Sequence, residues 1–172
     1  MNSFSLVFSL LQPEMTEHVF FYGKYHPLSQ HHPCKFIVGE QVYNSTEQFM
    51  MSEKALLFHD MENYHKIMTT SDPIRQKQLG RKVRNFDERL WNARKLGIVY
   101  DGNKAKFTQN PELKEYLLNT GQAFLAEASP RDRYWGIGYS EEFAIANKKD
   151  WGYNALGSIL MKLRDHIRIE SR

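Results

Sequence analysis

Two acidic residues stand where a carboxylate can do chemistry: Glu47, in "NSTEQFMMSEKALLF", and Asp132, in "EASPRDRYWGIGYSEEF". Hydrolysis at a sugar carbon needs an activated water and help for the departing group, and carboxylates commonly supply both. Each residue also has a plain structural reading. Acids are favoured in the first turn of a helix, beside unpaired N–H groups. Asp132 lies between Arg131 and Arg133, either of which suits a salt bridge. Tyr134 and Trp135 follow in the same polar segment, where a surface loop has no need of them, and aromatic rings so placed can stack on a planar base. Trp91, in the longest helical pattern, fits a core position as readily as a binding wall.

The basic run Arg75, Lys77, Arg81, Lys82 and Arg84 reads as a phosphate-binding edge or as the wet face of a helix. "WGIG" is too short for a phosphate nest by itself, and Gly136 and Gly138 equally serve a tight turn. No dinucleotide fingerprint and no Walker loop is present. His31, His32 and Cys34 lie close together, but an ordered zinc site needs three or four ligands at workable spacing and no further partner announces itself. No metal and no cofactor is expected.

The elements that must position these residues follow from pattern and punctuation. "HVFFYG" reads as a strand ended by Gly23, and "CKFIVGEQVYN" as a hairpin turning at Gly39–Glu40. Ser45 then caps a helix, with Gln48 completing a capping box, so Glu47 falls in the first turn with Met51 and Lys54 on its face. A second helix covers "HDMENYHKIM". A third has Asp72 as cap, Pro73 at its first position and Gly80 as stop. "FDERLWNARKLGIVYDGNKAKF" is the longest helical pattern, with Gly97 or Gly102 expected to kink or interrupt it. "NPELKEYLLNTG" is a fifth helix and "AFLAEAS" a strand. "NALGSILMKLRDHIR" closes the chain as an amphipathic helix burying Leu156, Ile159, Leu160, Leu163 and Ile167. The fold class is α+β: one compact, helix-rich domain with a small β-sheet.

The 172 residues suit one domain with a real core, and the composition is far from the disordered class. The formal net charge of +3 leans weakly toward phosphates or nucleic acid. The single cysteine, Cys34, excludes an internal disulfide and favours a reducing setting. The opening "MNSFSLVFSLLQPEMTEH" lacks a basic n-region and a small-residue cleavage motif, and no stretch approaches a membrane span of roughly 20 apolar residues. A cytoplasmic protein is expected, with residues 1–17 as a variable arm or edge strand and residues 18–172 as the domain.

Together, "FFYGKYHPLSQHHPCKFIVGEQVYNSTEQFM", "DPIRQKQLGRKV", "AKFTQNPELKEYLLNTG", "LAEASPRDRYWGIG" and "NALGSILMKLR" resemble, in order, the YbiA-like or NADAR family of N-glycosidases. The resemblance runs from Phe20 to Arg168. It implies a YbiA-like fold and cleavage of N-glycosidic bonds to ribose-type sugars. The substrates it implies are phosphoribosylamino-pyrimidine intermediates of riboflavin synthesis or ADP-ribose on guanine bases of nucleic acid. A non-catalytic module binding ADP-ribose or a nucleotide is the remaining alternative. Carried over by motif, Glu47 and Asp132 become the catalytic acids. Trp91, Tyr134, Trp135, Gly136 and Asn154 become substrate contacts, with Gly157 at the same helix start as Asn154. Arg81 and Lys54 become phosphate contacts. One departure stands out: "YSEEFAIANKKDWGY", residues 139–153, is longer than the short link of compact members. It is expected to bring Phe143, Lys148, Lys149 and Trp151 beside the pocket and to alter which substrate is accepted.

Overall fold

The computed structural model describes residues 17–171, so the expected arm lies outside the described residues except for Glu17. Strand β1 (His18–Phe21) pairs in parallel with β4 (Phe124–Glu127), in the register His18↔Phe124 to Phe21↔Glu127. A parallel pair demands a long crossover. Here it contains the hairpin β2 (Phe36–Val38) and β3 (Gln41–Tyr43), then α1 (Thr46–Leu57), α2 (Met61–Met68), α3 (Pro73–Gly80), α4 (Glu88–Gln109) and α5 (Pro111–Asn119). After β4 come a short α6 (Glu141–Ala144), a 3-10 segment (Ile145–Asp150) and α7 (Ala155–Glu170). The small sheet is thus two separate two-stranded pieces among helices.

The helix ends follow the local chemistry. Ser45 Oγ accepts from Gln48 N at 2.9 Å, as a cap should. The reciprocal half of the box is displaced by one residue: Gln48 Oε1 accepts from Asn44 N at 2.8 Å instead of from the cap itself. Asp72 caps α3 through Ile74 N at 3.0 Å, with Pro73 first in the helix.

Neither Gly97 nor Gly102 interrupts α4. The helix runs unbroken for 22 residues. A Cβ on Gly102 would stand 2.5 Å from a ring carbon of Phe49, so this glycine lets α1 approach α4. Leu156, Ile159, Leu160, Leu163 and Ile167 of α7 are all buried. Period-2 alternation splits β4 between two environments. Leu125 faces the main helical core, whereas Phe124 and Ala126 face the opposite side with Phe20 and Trp151. No helix among the described residues is long and apolar enough to cross a membrane.

Candidate active site

A cavity of about 540 Å³ opens between α1, α3, the loop after β1 and the segment that follows β4, a size ordinary for a small-molecule site. Helix α1 contributes Glu47, Met50, Met51 and Lys54, one face at i, i+3, i+4 and i+7 spacing. Lys77 of α3 and Arg81 just beyond it bring positive charge to the same space, and Trp91 of α4 adds an aromatic wall. The opposite wall holds Glu127, Ser129, Asp132 and Trp135. Of the residues singled out in the sequence, Glu47, Asp132, Trp91, Trp135, Arg81 and Lys54 therefore line one cavity.

Glu47 is not a solvated first-turn acid. Its side chain is 6% exposed, and its Oε2 lies 3.6 Å from His31 Nε2. Asp132 makes no salt bridge among the described residues. Its Oδ1 accepts from the backbone N–H of Tyr134 at 3.0 Å and of Trp135 at 2.7 Å. Its neighbour Arg133 pairs instead with Asp150. The carboxylate is thus held by the loop that carries the tryptophan. Lys54 Nζ stands 4.6 Å from the Phe86 ring centre and 5.4 Å from that of Trp91. Burial, then the charge of Arg81, push its pKa below the usual lysine range.

Three of the expected contacts are placed elsewhere. Tyr134 lies outside the lining, stacked on Tyr153 at 5.4 Å and edge-on to Trp135 at 5.1 Å, with Lys95 Nζ 3.6 Å from its ring centre. Gly136 sits under the wall, where a Cβ would meet the carbonyl oxygen of Glu127 at 2.6 Å. Asn154 is buried in the left-handed region at φ 53°. Its Oδ1 accepts from Glu127 N at 3.0 Å and its Nδ2 donates to Leu125 O at 2.8 Å, so the side chain stands in for a neighbouring strand on β4. Gly157 lies against the same strand, where a Cβ would collide with Leu125 O.

The expected placement of residues 139–153 beside the pocket is corrected: none of them lines the cavity. The segment covers the far side of the β1–β4 pair. Trp151 meets the rings of His18 at 5.7 Å and Phe20 at 5.9 Å, and its Nε1 donates to Ala144 O. The apolar side chains that alternation sends outward from the strands have to be covered by something, and this insert covers them. Arg84 also leaves the phosphate set, because it is spent on Asp60 and Glu62. The His31–His32–Cys34 run does not converge. His31 faces Glu47 and His32 Nδ1 meets Tyr25 O, and no group of three or more His, Cys, Asp or Glu among the described residues could hold a metal ion.

A family model described as the NADAR domain matches residues 20–168. The chain belongs to the NADAR family. It is 44% identical over 165 residues to N-glycosidase R617 of Acanthamoeba polyphaga mimivirus, covering 88% of this chain and 97% of that protein. It is 26% identical over 169 residues to a riboflavin biosynthesis protein of Vibrio vulnificus, covering 96% of this chain but only 43% of that one. Among solved structures, the NMR structure of YbiA from E. coli superposes with a TM-score of 0.75 at 27% identity, covering 91% of this chain and 88% of that one. The helix-rich α+β fold is therefore the YbiA-like fold.

Within this NADAR domain, two site residues carried no weight in the sequence reading. Glu127 ends β4 and points its carboxyl into the cavity wall. Burial, then the charge of Asp132, push its pKa up to about 7, with Lys77 opposing and Glu47 adding to the rise. The readable signal was an acid closing the apolar run "AFLAE". Lys106 is fully buried in α4 and donates to Pro27 O at 2.7 Å and Ser29 O at 2.9 Å. Asn103 adds a bond to Gln30 Oε1 at 2.8 Å. Together they anchor the loop that carries Ser29, Gln30 and His31 into the lining. Burial pushes the Lys106 pKa down to about 8. No signal in the helical pattern distinguishes it from the solvated lysines around it.

Proposed function

We propose that this protein is an N-glycosidase that hydrolyses the bond between a nitrogen and C1 of a phosphorylated ribose. The observation carrying the reading is the composition of one cavity: carboxylates Glu47 and Asp132, walls Trp91 and Trp135, and the cations Lys54, Lys77 and Arg81. In this reading Trp91 and Trp135 flank the planar base, and Lys77 and Arg81 take the phosphate. Glu47, with His31 beside it, orients the attacking water. Asp132, rigidly tied by two amide N–H groups, holds fixed negative charge against the developing sugar cation. The mimivirus relative is named an N-glycosidase and the Vibrio relative, of which this chain covers 43%, a riboflavin biosynthesis protein, so a phosphoribosylamino-pyrimidine is the first substrate to test. A module that merely held a phosphorylated ligand would use such carboxylates only to accept hydrogen bonds from the ribose hydroxyls.

A second substrate is favoured by a specific feature of the rim. Tyr22, 59% exposed, and Lys24 line the cavity, and Tyr25, 81% exposed, follows them in the chain just outside the lining. Aromatic and basic side chains interleaved at a pocket mouth suit a nucleic acid presenting one modified base. ADP-ribosylated guanine in an oligonucleotide is therefore the alternative. The deciding experiment offers the phosphoribosylamino-pyrimidine and the modified oligonucleotide side by side and records released sugar. Turnover of one identifies the substrate class. Tight binding with no release of sugar from either would leave a binding module.

A further inference from the structure

Glu127 is built differently from the other two carboxylates. Its backbone is clamped on every side: the N–H donates to Asn154 Oδ1, the carbonyl accepts from Ile137 N at 2.9 Å, and Phe21 of β1 is its parallel partner. Gly136 lies so close to that carbonyl that no side chain fits there. The Glu127 side chain therefore leaves a fixed point and enters the cavity wall. Its Oε2 is buried and has no hydrogen-bond partner among the described residues. Asp132 from the following loop, Glu47 from α1 and Lys77 from α3 are the charges that act on it. A buried carboxyl oxygen left unpartnered is costly. Carrying a proton lowers that cost, because a neutral carboxyl is cheaper to bury than a carboxylate, and the residue itself lines the cavity.

We infer that Glu127 is the general acid of this site, delivering its proton to the nitrogen that leaves the sugar. The assignment rests on the N-glycosidase reading. In the step, the C1–N bond breaks and its electron pair stays on nitrogen, which takes the proton from the Glu127 carboxyl. The water oxygen bonds to C1 and its proton passes to Glu47. After product release Glu47 returns a proton to solvent and Glu127 regains one, so the cycle consumes one water. An amine or base nitrogen is a poor leaving group as an anion, so a proton donor is the part a pair of ionised carboxylates cannot supply. Burial, then the charge of Asp132, raise the Glu127 pKa to about 7 and so favour the protonated form far more than in an exposed glutamate.

The test compares leaving groups. Wild type, Glu127→Gln and Glu47→Gln are assayed on the phosphoribosylamino-pyrimidine, on ADP-ribosylated guanosine, and on 4-nitrophenyl riboside 5-phosphate, whose phenolate departs without a proton. Glu127→Gln should lose roughly 100-fold or more on the N-linked substrates and only a few-fold on the nitrophenyl one. Glu47→Gln should lose on all of them. The alkaline fall in wild-type kcat should be absent for the nitrophenyl substrate. Equal losses of Glu127→Gln on every leaving group, or no loss, would overturn the assignment while leaving the hydrolase reading intact. A wild type silent on every substrate would defeat the hydrolase reading and the assignment with it. Carbon-13 carboxyl titration of the wild type is a check without turnover. A Glu127 signal, identified by its loss in the variant, must titrate near neutrality, and titration in the ordinary carboxylate range would also overturn the proposal.

Discussion

His31 Nε2 stands 3.6 Å from Glu47 Oε2, and the carboxylate of that pair is almost wholly buried while the imidazole is partly open to the cavity. The pairing gives Glu47 a partner from a different segment, the loop after β1, so its orientation depends on that loop. Glu47→Gln keeps the size and the helix but removes the base. Turnover should fall roughly 100-fold or more with melting temperature nearly unchanged. A capping role alone would cost a few tenths of a kcal/mol and leave turnover near normal. His31→Gln should cost less, because it orients the base and is not itself the base. Near-normal turnover in purified Glu47→Gln would make that residue a bystander.

The Glu127 carboxyl makes a prediction about stability. Its pKa rises from the ordinary glutamate value of 4.5 to about 7 in the folded protein. Between those values the unfolded chain binds fewer protons than the native one, so stability falls as pH rises. The group's contribution is fully present below about 4.5 and lost as pH passes through about 7. Glu127→Gln removes that dependence. Denaturant unfolding should find the variant more stable than wild type above neutrality by an amount on the order of 2–3 kcal/mol. The two should converge in mild acid. Parallel pH curves would show that Glu127 ionises as freely as an exposed acid.

Trp135 is partly buried against the core and lines the cavity, so two roles compete at one side chain. Stacking on a base is worth roughly 1–3 kcal/mol, which makes Trp135→Ala about ten- to a hundred-fold weaker in binding. Trp135→Phe should recover part of that affinity. A purely structural tryptophan would instead show both variants tracking melting temperature. Ligand affinity and thermal unfolding measured on the same preparations separate the two.

The wall loop and the far-side insert illustrate what the sequence could and could not disclose. Caps and turns are local, so Ser45, Asp72, Pro73 and the Gly39–Glu40 turn were legible from their neighbours. The buried stripe of α7 was legible from its period. The cavity residues Glu47, Trp91, Asp132 and Trp135 were selected by residue type together with the family resemblance. What failed was anything decided by distant partners. Gly102 reads as a helix breaker until Phe49 is seen to need its space. Asn154 reads as a contact until its amide is found bridging β4. The insert reads as a pocket lip until alternation in β1 and β4 sends Phe20 and Phe124 to the other side, where Trp151 waits. Glu127 and Lys106 were missed for the same reason. Their environments are assembled from segments far apart in the chain.

Because the insert covers the outer face, Lys148 and Lys149 are free of the cavity. Replacing both with Ser should leave turnover of a small phosphoribosyl substrate unchanged. Affinity for an oligonucleotide substrate should also hold if the Tyr22–Lys24–Tyr25 rim is the contact. Tyr25→Ala with Lys24→Ser should weaken oligonucleotide binding and reduce its salt slope, since lost phosphate contacts release fewer counterions. Binding measured at three salt concentrations decides between the two surfaces. A loss confined to the Lys148 and Lys149 variant would move the nucleic-acid contact to the insert.

Asp60 and Arg84 test how far stability and chemistry are separated. Asp60 is buried at the start of α2, where it accepts from Asn63 N, Asn63 Nδ2, Arg84 N and Arg84 Nη2. The Arg84 guanidinium and backbone, with Asn63, hold its carboxyl far below the usual carboxylate range. Such a group favours the folded state above its unfolded pKa, and the benefit is lost as pH falls through the acid range. Asp60→Ala removes the cap and leaves several donors without an acceptor, at a cost of about 2–4 kcal/mol. Melting should drop by roughly 5–15 °C. Neither residue lines the cavity, so KM and kcat per folded molecule should hold for Asp60→Ala and for Arg84→Met alike. By contrast, Arg81→Met, a change in the lining, should raise KM for a phosphorylated substrate with little loss of stability. A large KM effect from Arg84→Met would return that arginine to the phosphate site and show that its pairing with Asp60 gives way when ligand binds.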